Sequence, residues 1–215
     1  MLLAVVGAGA FGREIMPYVQ RATQKLGANH VKIVSVVEEQ YLDSFSDAGV
    51  IGLAEFANIA CPGEDKRFCI AIADSCARER ISGFLESRYI LPFDVISDEA
   101  VVYGSASIAR GVVVCPYSVI SAGSIIGKHF HSNFFSYVAH DCMIGDFVTF
   151  APRVTCCGSV VIEDHAYIGA GAVIKQSGDS EVIVIGRGAV VGMGAVVTRS
   201  VAPNVTVVGN PARVV

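Results

Sequence analysis

Residues 96–126 read ISDEAVVYGSASIARGVVVCPYSVISAGSII, and every sixth residue from Ile96 is aliphatic: Ile96, Val102, Ile108, Val114, Ile120, Ile126. The beat continues at Val138, Ile144, Ile162, Ile168 and Ile174, pauses, and resumes at Ile185, Val191 and Val197. Ser132, Phe150 and Cys156 occupy the three remaining slots. The residue four places after each slot is small or β-branched, from Ala100 and Ala106 through Ser118, Ser124 and Cys142 to Ala172; Phe130 is the exception. A helix repeats every 3.6 residues and a strand every 2, so a period of six belongs to neither. It belongs to a hexapeptide β-helix, in which each hexad supplies one short strand and one bend, and three hexads close a triangular coil. The aliphatic residue fills the prism and the small one lets the corner close.

Composition agrees with that architecture. Of 215 residues, 53% are hydrophobic and 17% charged, the excess expected of coils that stack their aliphatic residues inward. No apolar run approaches the ~18 residues that cross a bilayer, so no membrane partner is expected. The opening MLLAVVGAGAFG has no basic leader and runs into a glycine turn, which reads as a strand rather than a secretion signal. A net charge of −4 without a basic stripe argues against nucleic acid as partner. Seven cysteines form no CxxC pair, the pattern of reduced thiols in a cytoplasmic protein.

Residues 1–95 lack the beat and form a separate domain. Leu2–Val6 is an apolar strand leading into Gly7-Ala8-Gly9-Ala10-Phe11-Gly12 and a helix to about Leu26. A second strand, Val31–Val37, ends in Glu38-Glu39; a third, Phe68–Ala73, precedes Asp74 and a charged helix over about Ser75 to Arg88. Alternating strands and helices imply a small parallel sheet. GxGxxG between strand and helix, with acidic residues after the next strand, is the fingerprint of a phosphate held at a helix N-terminus. Under a hundred residues provide one mononucleotide-binding half, which suits a nucleotide carried on another substrate better than NAD. Glu38, Glu39 and Asp74 fall at strand ends, as ribose or base ligands or as solvated loop charges.

On the β-helix, residues eighteen apart stack about 4.8 Å apart. His140 takes the third place of its hexad, and Gly158 takes the same place one coil on. Gln176 would follow, but residues 175–184 exceed one hexad and must leave the prism as a loop beside this column. An imidazole, a glycine N–H and an overhanging loop suit acyl transfer: a base for the incoming nucleophile and a donor for the oxyanion. Asp141 could orient the imidazole; an ordinary surface histidine is the alternative. His129, His131 and His165 invite comparison with a three-histidine metal site, but the third ligand position is Ala170, so no metal is expected. Cys156 reads as core, and Cys157 stays open.

The chain resembles the left-handed β-helix acyltransferases of nucleotide-linked sugars, which include acetyl-CoA-dependent N-acetyltransferases of UDP- or dTDP-4-amino-6-deoxysugars and sialic acid O-acetyltransferases. The resemblance rests on Val5–Glu14, Val138–Asp146, Ile168–Val173 and the closing Val208-Gly209-Asn210-Pro211-Ala212-Arg213. It implies a small N-terminal α/β Rossmann-like domain (1–95) holding the nucleotide sugar, followed by a left-handed parallel β-helix (96–215) carrying the transferase site. It also implies His140 as general base tuned by Asp141, with the Gly158 amide near the thioester carbonyl. Ala170 and Met193 would line the coenzyme A channel, with Arg213 in the shared C-terminal motif beside it. Gly9, Ala10, Phe11, Glu38 and Glu39 would hold the nucleotide sugar. Thr149 stands where several relatives carry a second histidine near the acyl donor, and Phe11 where a histidine is common. Similar enzymes are homotrimers with sites between neighbouring β-helices. The implied reaction is direct acetyl transfer to a sugar amine in glycan or surface-polysaccharide biosynthesis. An O-acetyltransferase, a non-catalytic trimeric nucleotide-binding module and a metal-dependent hydratase are the competing readings.

Overall fold

The structure is a computed structural model describing residues 1–26, 31–45, 49–61, 65–178 and 181–215. It divides into two compact units, Met1–Val95 and Ile96–Val215.

The first unit is built on a five-stranded parallel sheet. β1 (Leu2–Val6) is buried at every position, as a strand covered on both faces must be. It runs through a glycine turn into α1 (Ala10–Gln24), whose buried Gly12, Ile15, Val19 and Thr23 recur at helical spacing. β2 (Lys32–Val37) pairs with β1; β3 (Val50–Gly52) and α2 (Leu53–Asn58) follow it. β4 (Lys66–Ile70) pairs with the other edge of β1, and α3 (Ser75–Glu86) leads to β5 (Leu91–Pro92). The order is β3-β2-β1-β4-β5. The strand expected third in the chain is therefore the fourth. Three- and six-residue elements show no periodicity in sequence, which is why β3 and α2 went unread.

In the second unit every hexad slot is the inner residue of a two-residue strand, and the strands stack into three parallel sheets. The first face climbs from Val101–Val102 to Val196–Val197, the second from Ser107–Ile108 to Val184–Ile185, and the third from Val95–Ile96 to Thr206–Val208. Pairing joins residues eighteen apart, as in Tyr137 with Val119 and Thr155, until residues 175–183 lengthen the step so that Val161 pairs with Val184. Slots are fully buried from Val114 onward, whereas Ile96, Val102 and Ile108 are partly exposed in the first coil, which has no coil beneath it.

The small residue of each hexad does more than permit a corner. Ser118, Ser124 and Ser136 donate their hydroxyls to the carbonyls of Asn133, Ala139 and Ala151, each fifteen residues on, and the Cys142 thiol does the same to Cys157. Buried polar groups are thereby satisfied in the prism wall. Phe130, the exception to the small-residue rule, is wholly buried and meets Phe150 edge-on at 5.1 Å. Ser132, the one hydroxyl in an aliphatic slot, lies directly beneath Phe150 in register, so two rings and a small residue share the space. We expect Phe130→Ala to cost about 3–5 kcal/mol, the usual cost of emptying a buried aromatic site. Chemical denaturation would measure it, and Phe130→Leu should cost less.

The top of the stack is closed by its own chain. Val201 bonds to the last strand of the second face, Gly209 and Ala212 to Val196 of the first, and Arg213–Val214 runs antiparallel along Thr206–Val208 of the third.

Candidate active site

From Gly111 to Gly171 each corner of the prism is a two-residue turn whose second residue takes a left-handed backbone. At the corner between the first and second faces, His140 is the first residue of that turn and Asp141, at φ +58°, the second. Asp tolerates this conformation better than most side chains. Gly123 holds the same position one coil below, and a side chain there would collide with the Asp141 carboxylate. The carboxylate therefore has one place to go. Its Oδ2 lies 2.8 Å from His140 Nδ1, which fixes the imidazole and favours the tautomer with the proton on Nδ1. Nε2 is left as the basic nitrogen.

The imidazole lies against the α-carbon of Gly158. A β-carbon at 158 would stand 2.5 Å from Nε2, closer than any real contact, so the ring occupies its position only because residue 158 is glycine. Among the described residues the Gly158 N–H has no acceptor, while its carbonyl takes the N–H of Ser177. That bond anchors the loop foreseen over this column. Within it Gly178 pairs with Glu181 and Ser177 Oγ accepts from Ile183 N; Asp179 and Ser180 lie outside the described residues. His140 is about half exposed, on the outer edge of the prism. A basic nitrogen and an unused amide on one edge can take a proton from a nucleophile and steady the oxyanion it creates.

The residues expected at coenzyme A lie elsewhere on the same prism. Ala170 sits at the corner between the third and first faces, where its carbonyl accepts from Gly194 N. Met193 stacks one coil above it and is 82% exposed. Thr149 is buried on the third face, paired in register with His131 and Tyr167. Arg213 lines a shallow groove with Arg199, Ser200 and Val207 in the closing segment. A single chain thus puts His140 and Ala170 on different edges.

Cys156 is a core residue. Its sulfur is 3.9 Å from that of Cys142, and this contact, with burial, holds the thiol well above its ordinary pKa. Cys157 is half-buried and free. His129, Phe147 and His165 stack in parallel at 5.3 Å spacing in the third corner. Among the described residues no group of three His, Cys, Asp or Glu side chains is placed to hold a metal ion.

In the first unit the glycine motif divides its labour. Gly7, at φ +113°, turns the chain beneath the Ala71 carbonyl, and Gly12 packs so tightly on the Gly7 carbonyl that no β-carbon fits. Around Gly9 there is open space, and it caps α1 without any side-chain hydrogen bond. Gly9, Ala10 and Phe11 open α1 at its N-terminus, an end suited to a phosphate. The acidic residues are less uniform. Glu39 Oε1 takes the Ala54 N–H at 2.6 Å and so caps α2. Asp74 Oδ1 accepts from Cys76 N and Ala77 N and caps α3. Both carboxylates, expected at the substrate, cap a helix through one oxygen each. Glu38 is different: Oε1 meets Arg80 Nη2 at 2.6 Å, an interaction that raises the arginine pKa. Sequence reading missed Arg80, since no local signal marks a pairing 42 residues distant. It also missed Arg78, which is fully buried and donates to the carbonyls of Ile72 and Ala73 behind the glycine turn.

No protein-family profile matches the chain. Among curated proteins it is 42% identical over 213 residues to a GDP-perosamine N-acetyltransferase of Escherichia coli O157:H7, covering 99% of this chain and 95% of that protein. Among solved structures it matches WeeI from Acinetobacter baumannii AYE at 40% identity and a TM-score of 0.88, over the full length of both chains. The acetyltransferase domain of PglB from Neisseria gonorrhoeae FA1090, in complex with acetyl coenzyme A, is 29% identical with a TM-score of 0.83, covering 100% and 98% of the two chains.

Proposed function

Since the chain belongs to the left-handed β-helix N-acetyltransferases of nucleotide-linked aminosugars, we propose that its first unit holds a GDP-linked aminosugar and that His140 deprotonates the sugar amine. The enzyme transfers acetyl from acetyl-CoA. Near-complete coverage of the curated relative, which acts on GDP-perosamine, carries the choice of nucleotide. It moves the reading away from the uracil and thymine nucleotides suggested by resemblance alone. The diphosphate would sit at the N-terminus of α1, over the open Gly9, with Rossmann-like geometry in the sheet around it.

The amine attacks the thioester carbonyl directly. His140 Nε2 takes the ammonium proton as the C–N bond forms, Asp141 stabilises the resulting imidazolium, and the Gly158 N–H steadies the oxyanion. Collapse expels the coenzyme A thiolate, which accepts the proton back from His140. Cys156 is buried and held protonated, which supports a path with no acyl-enzyme. The test offers GDP-, UDP- and dTDP-linked 4-amino and 4-hydroxy sugars with acetyl-CoA and follows thiol release. Release with the GDP-linked amine and not with its hydroxyl counterpart is expected; the reverse would make the enzyme an O-acetyltransferase.

The coenzyme would lie between two copies of the chain. His140 and Ala170 occupy separate edges of one prism, and a trimer brings one edge of each copy to its neighbour. The second face also carries outward Ile125 and Met143, each more than half exposed, with Val161 beside them, an apolar ladder suited to burial. Sedimentation should give three times the 22.6 kDa of one chain. Met143→Asp should lower that mass and abolish turnover while leaving the circular dichroism of the β-helix in place.

A further inference from the structure

Resting on the proposed trimer and its aminosugar substrate, we infer that Phe135, stacked between Tyr117 and Arg153, completes the active site of the neighbouring copy as the platform on which the acceptor's sugar ring lies. Phe135 and His140 stand at opposite ends of one rung of the first face, separated by the strand Tyr137–Val138. Tyr117 holds the same corner position one coil below Phe135, and Arg153 one coil above. The two rings stack at 5.0 Å with their planes 15° apart, and the Arg153 guanidinium lies 5.6 Å from the centre of Phe135. Both rings are more than half exposed, whereas His129 and Phe147, stacked in the same way at the corner between the second and third faces, are buried. The open stack also carries a cost. Tyr117, Phe135 and Arg153 take left-handed backbone at φ +60°, +61° and +61°, a conformation unfavourable for bulky side chains. In the coils above, Gly171 and Gly194 hold the same position without that cost.

The height of the stack decides what it can meet. A three-fold axis parallel to the prisms keeps every coil at its own level, so a neighbouring edge meets His140 at the rung that bears Phe135. Tyr117 then falls one rung below the imidazole, Arg153 level with Gly158, and Gly171 and Gly194 above both. The edge changes character at the level of the chemistry. Above it, beside Ala170 and Met193, the two glycines face open space, which suits the expected coenzyme. A thioester held there comes down to the Gly158 N–H. The amine must approach its carbonyl from the other side, and on that side the neighbouring edge presents two stacked rings. The C–H face of a pyranose is apolar and packs flat on an aromatic ring, with its hydroxyls at the rim in reach of a donor such as the guanidinium. A ring already braced from above and below gives up little freedom on binding. Phe135 is thus the contact, and Tyr117 and Arg153 act through it as positioning residues.

The experiment follows acetyl transfer by the full-length Phe135→Ala variant to whichever of the GDP-, UDP- and dTDP-linked 4-amino sugars wild type turns over. Calorimetry of coenzyme A and of the matching free nucleoside diphosphate runs beside it. In the variant kcat/KM for the amine should fall roughly 10-fold or more, the scale of losing one aromatic contact with its buried area. Affinity for coenzyme A and for the free nucleotide should hardly change, since neither touches the ring. Phe135→Tyr should keep most of the activity, and Arg153→Lys should keep more than Arg153→Gln. If Phe135→Ala fails to assemble by sedimentation, Phe135→Leu takes its place, with a loss of the same kind. Subunit mixing tests the placement. Co-expressing His140→Ala and Phe135→Ala chains in equal amounts sets an intact His140 against an intact neighbouring Phe135 at about a quarter of the interfaces, and activity should rise to about that fraction of wild type. A ring that serves the His140 of its own chain leaves no complete site in any mixture. Activity would then stay at the mean of the two parent variants, which overturns the inference. So would unaltered acceptor kinetics in Phe135→Ala, or an equal loss of affinity for the free nucleotide. Transfer to an aminosugar with Phe135 dispensable would sink this inference alone. Absence of transfer to every nucleotide-linked amine would sink the proposed function with it.

Discussion

Replacing His140 by alanine is expected to lower kcat by about 10²- to 10⁴-fold, the usual contribution of a positioned base. Coenzyme A affinity should hardly change, because no bond to the donor is removed. Stability should hold too: the ring is half exposed and Asp141, which bonds it, faces solvent. Steady-state kinetics with thiol detection, beside calorimetric titration of coenzyme A, separate the two quantities. Turnover close to wild type would remove His140 from the chemistry, and parallel loss of coenzyme A binding would make it a ligand contact instead.

The second large effect comes from a residue with no side chain. Gly158→Ala places a methyl group where Nε2 now lies, and the backbone at 158 raises no objection, since it is not in the left-handed region. All the strain falls on the imidazole, which must swing away. A displacement of about 1 Å of a catalytic group can cost on the order of 10²-fold in rate, and that is the loss expected here. A control discriminates this mechanism from general damage. In His140→Ala the obstructed ring is gone, so adding Gly158→Ala should cost little more in rate or in melting temperature. Non-additivity of that kind is the mark of two residues acting through one contact. Additive losses would mean that Gly158 matters for reasons unconnected with His140.

The sequence was informative where structure repeats and uninformative where it depends on distant partners. The hexads could be read because each inward residue meets the same kind of neighbour eighteen positions away, so one rule recurs through the chain. The His140–Gly158 column followed from that arithmetic. The 175–184 loop was recognisable as an interruption of it. In the first unit β1 and α1 announced themselves by unbroken burial and helical spacing, whereas β3 and α2 are too short to carry a period. Asp74 offered a local clue to its capping bonds: an acidic residue before an amphipathic helix is the usual N-cap. Glu39 offered none, as its partner N–H lies fifteen residues on. The Glu38–Arg80 pair is legible only once strand order is known. Exposure of the first-coil slots likewise follows from an end effect that a repeat cannot encode.

A ladder of parallel strands stacked at constant spacing is, in principle, its own template: another molecule could dock on the last rung and the stack could lengthen without limit. Residues 201–214 prevent this on all three sides at once. Val201, Gly209 with Ala212, and Arg213–Val214 each occupy the amide and carbonyl groups that a newcomer would need, the last of them in the antiparallel sense that cannot propagate the coil. A segment easily taken for a tail is thus what keeps the enzyme a discrete particle instead of the seed of a fibre.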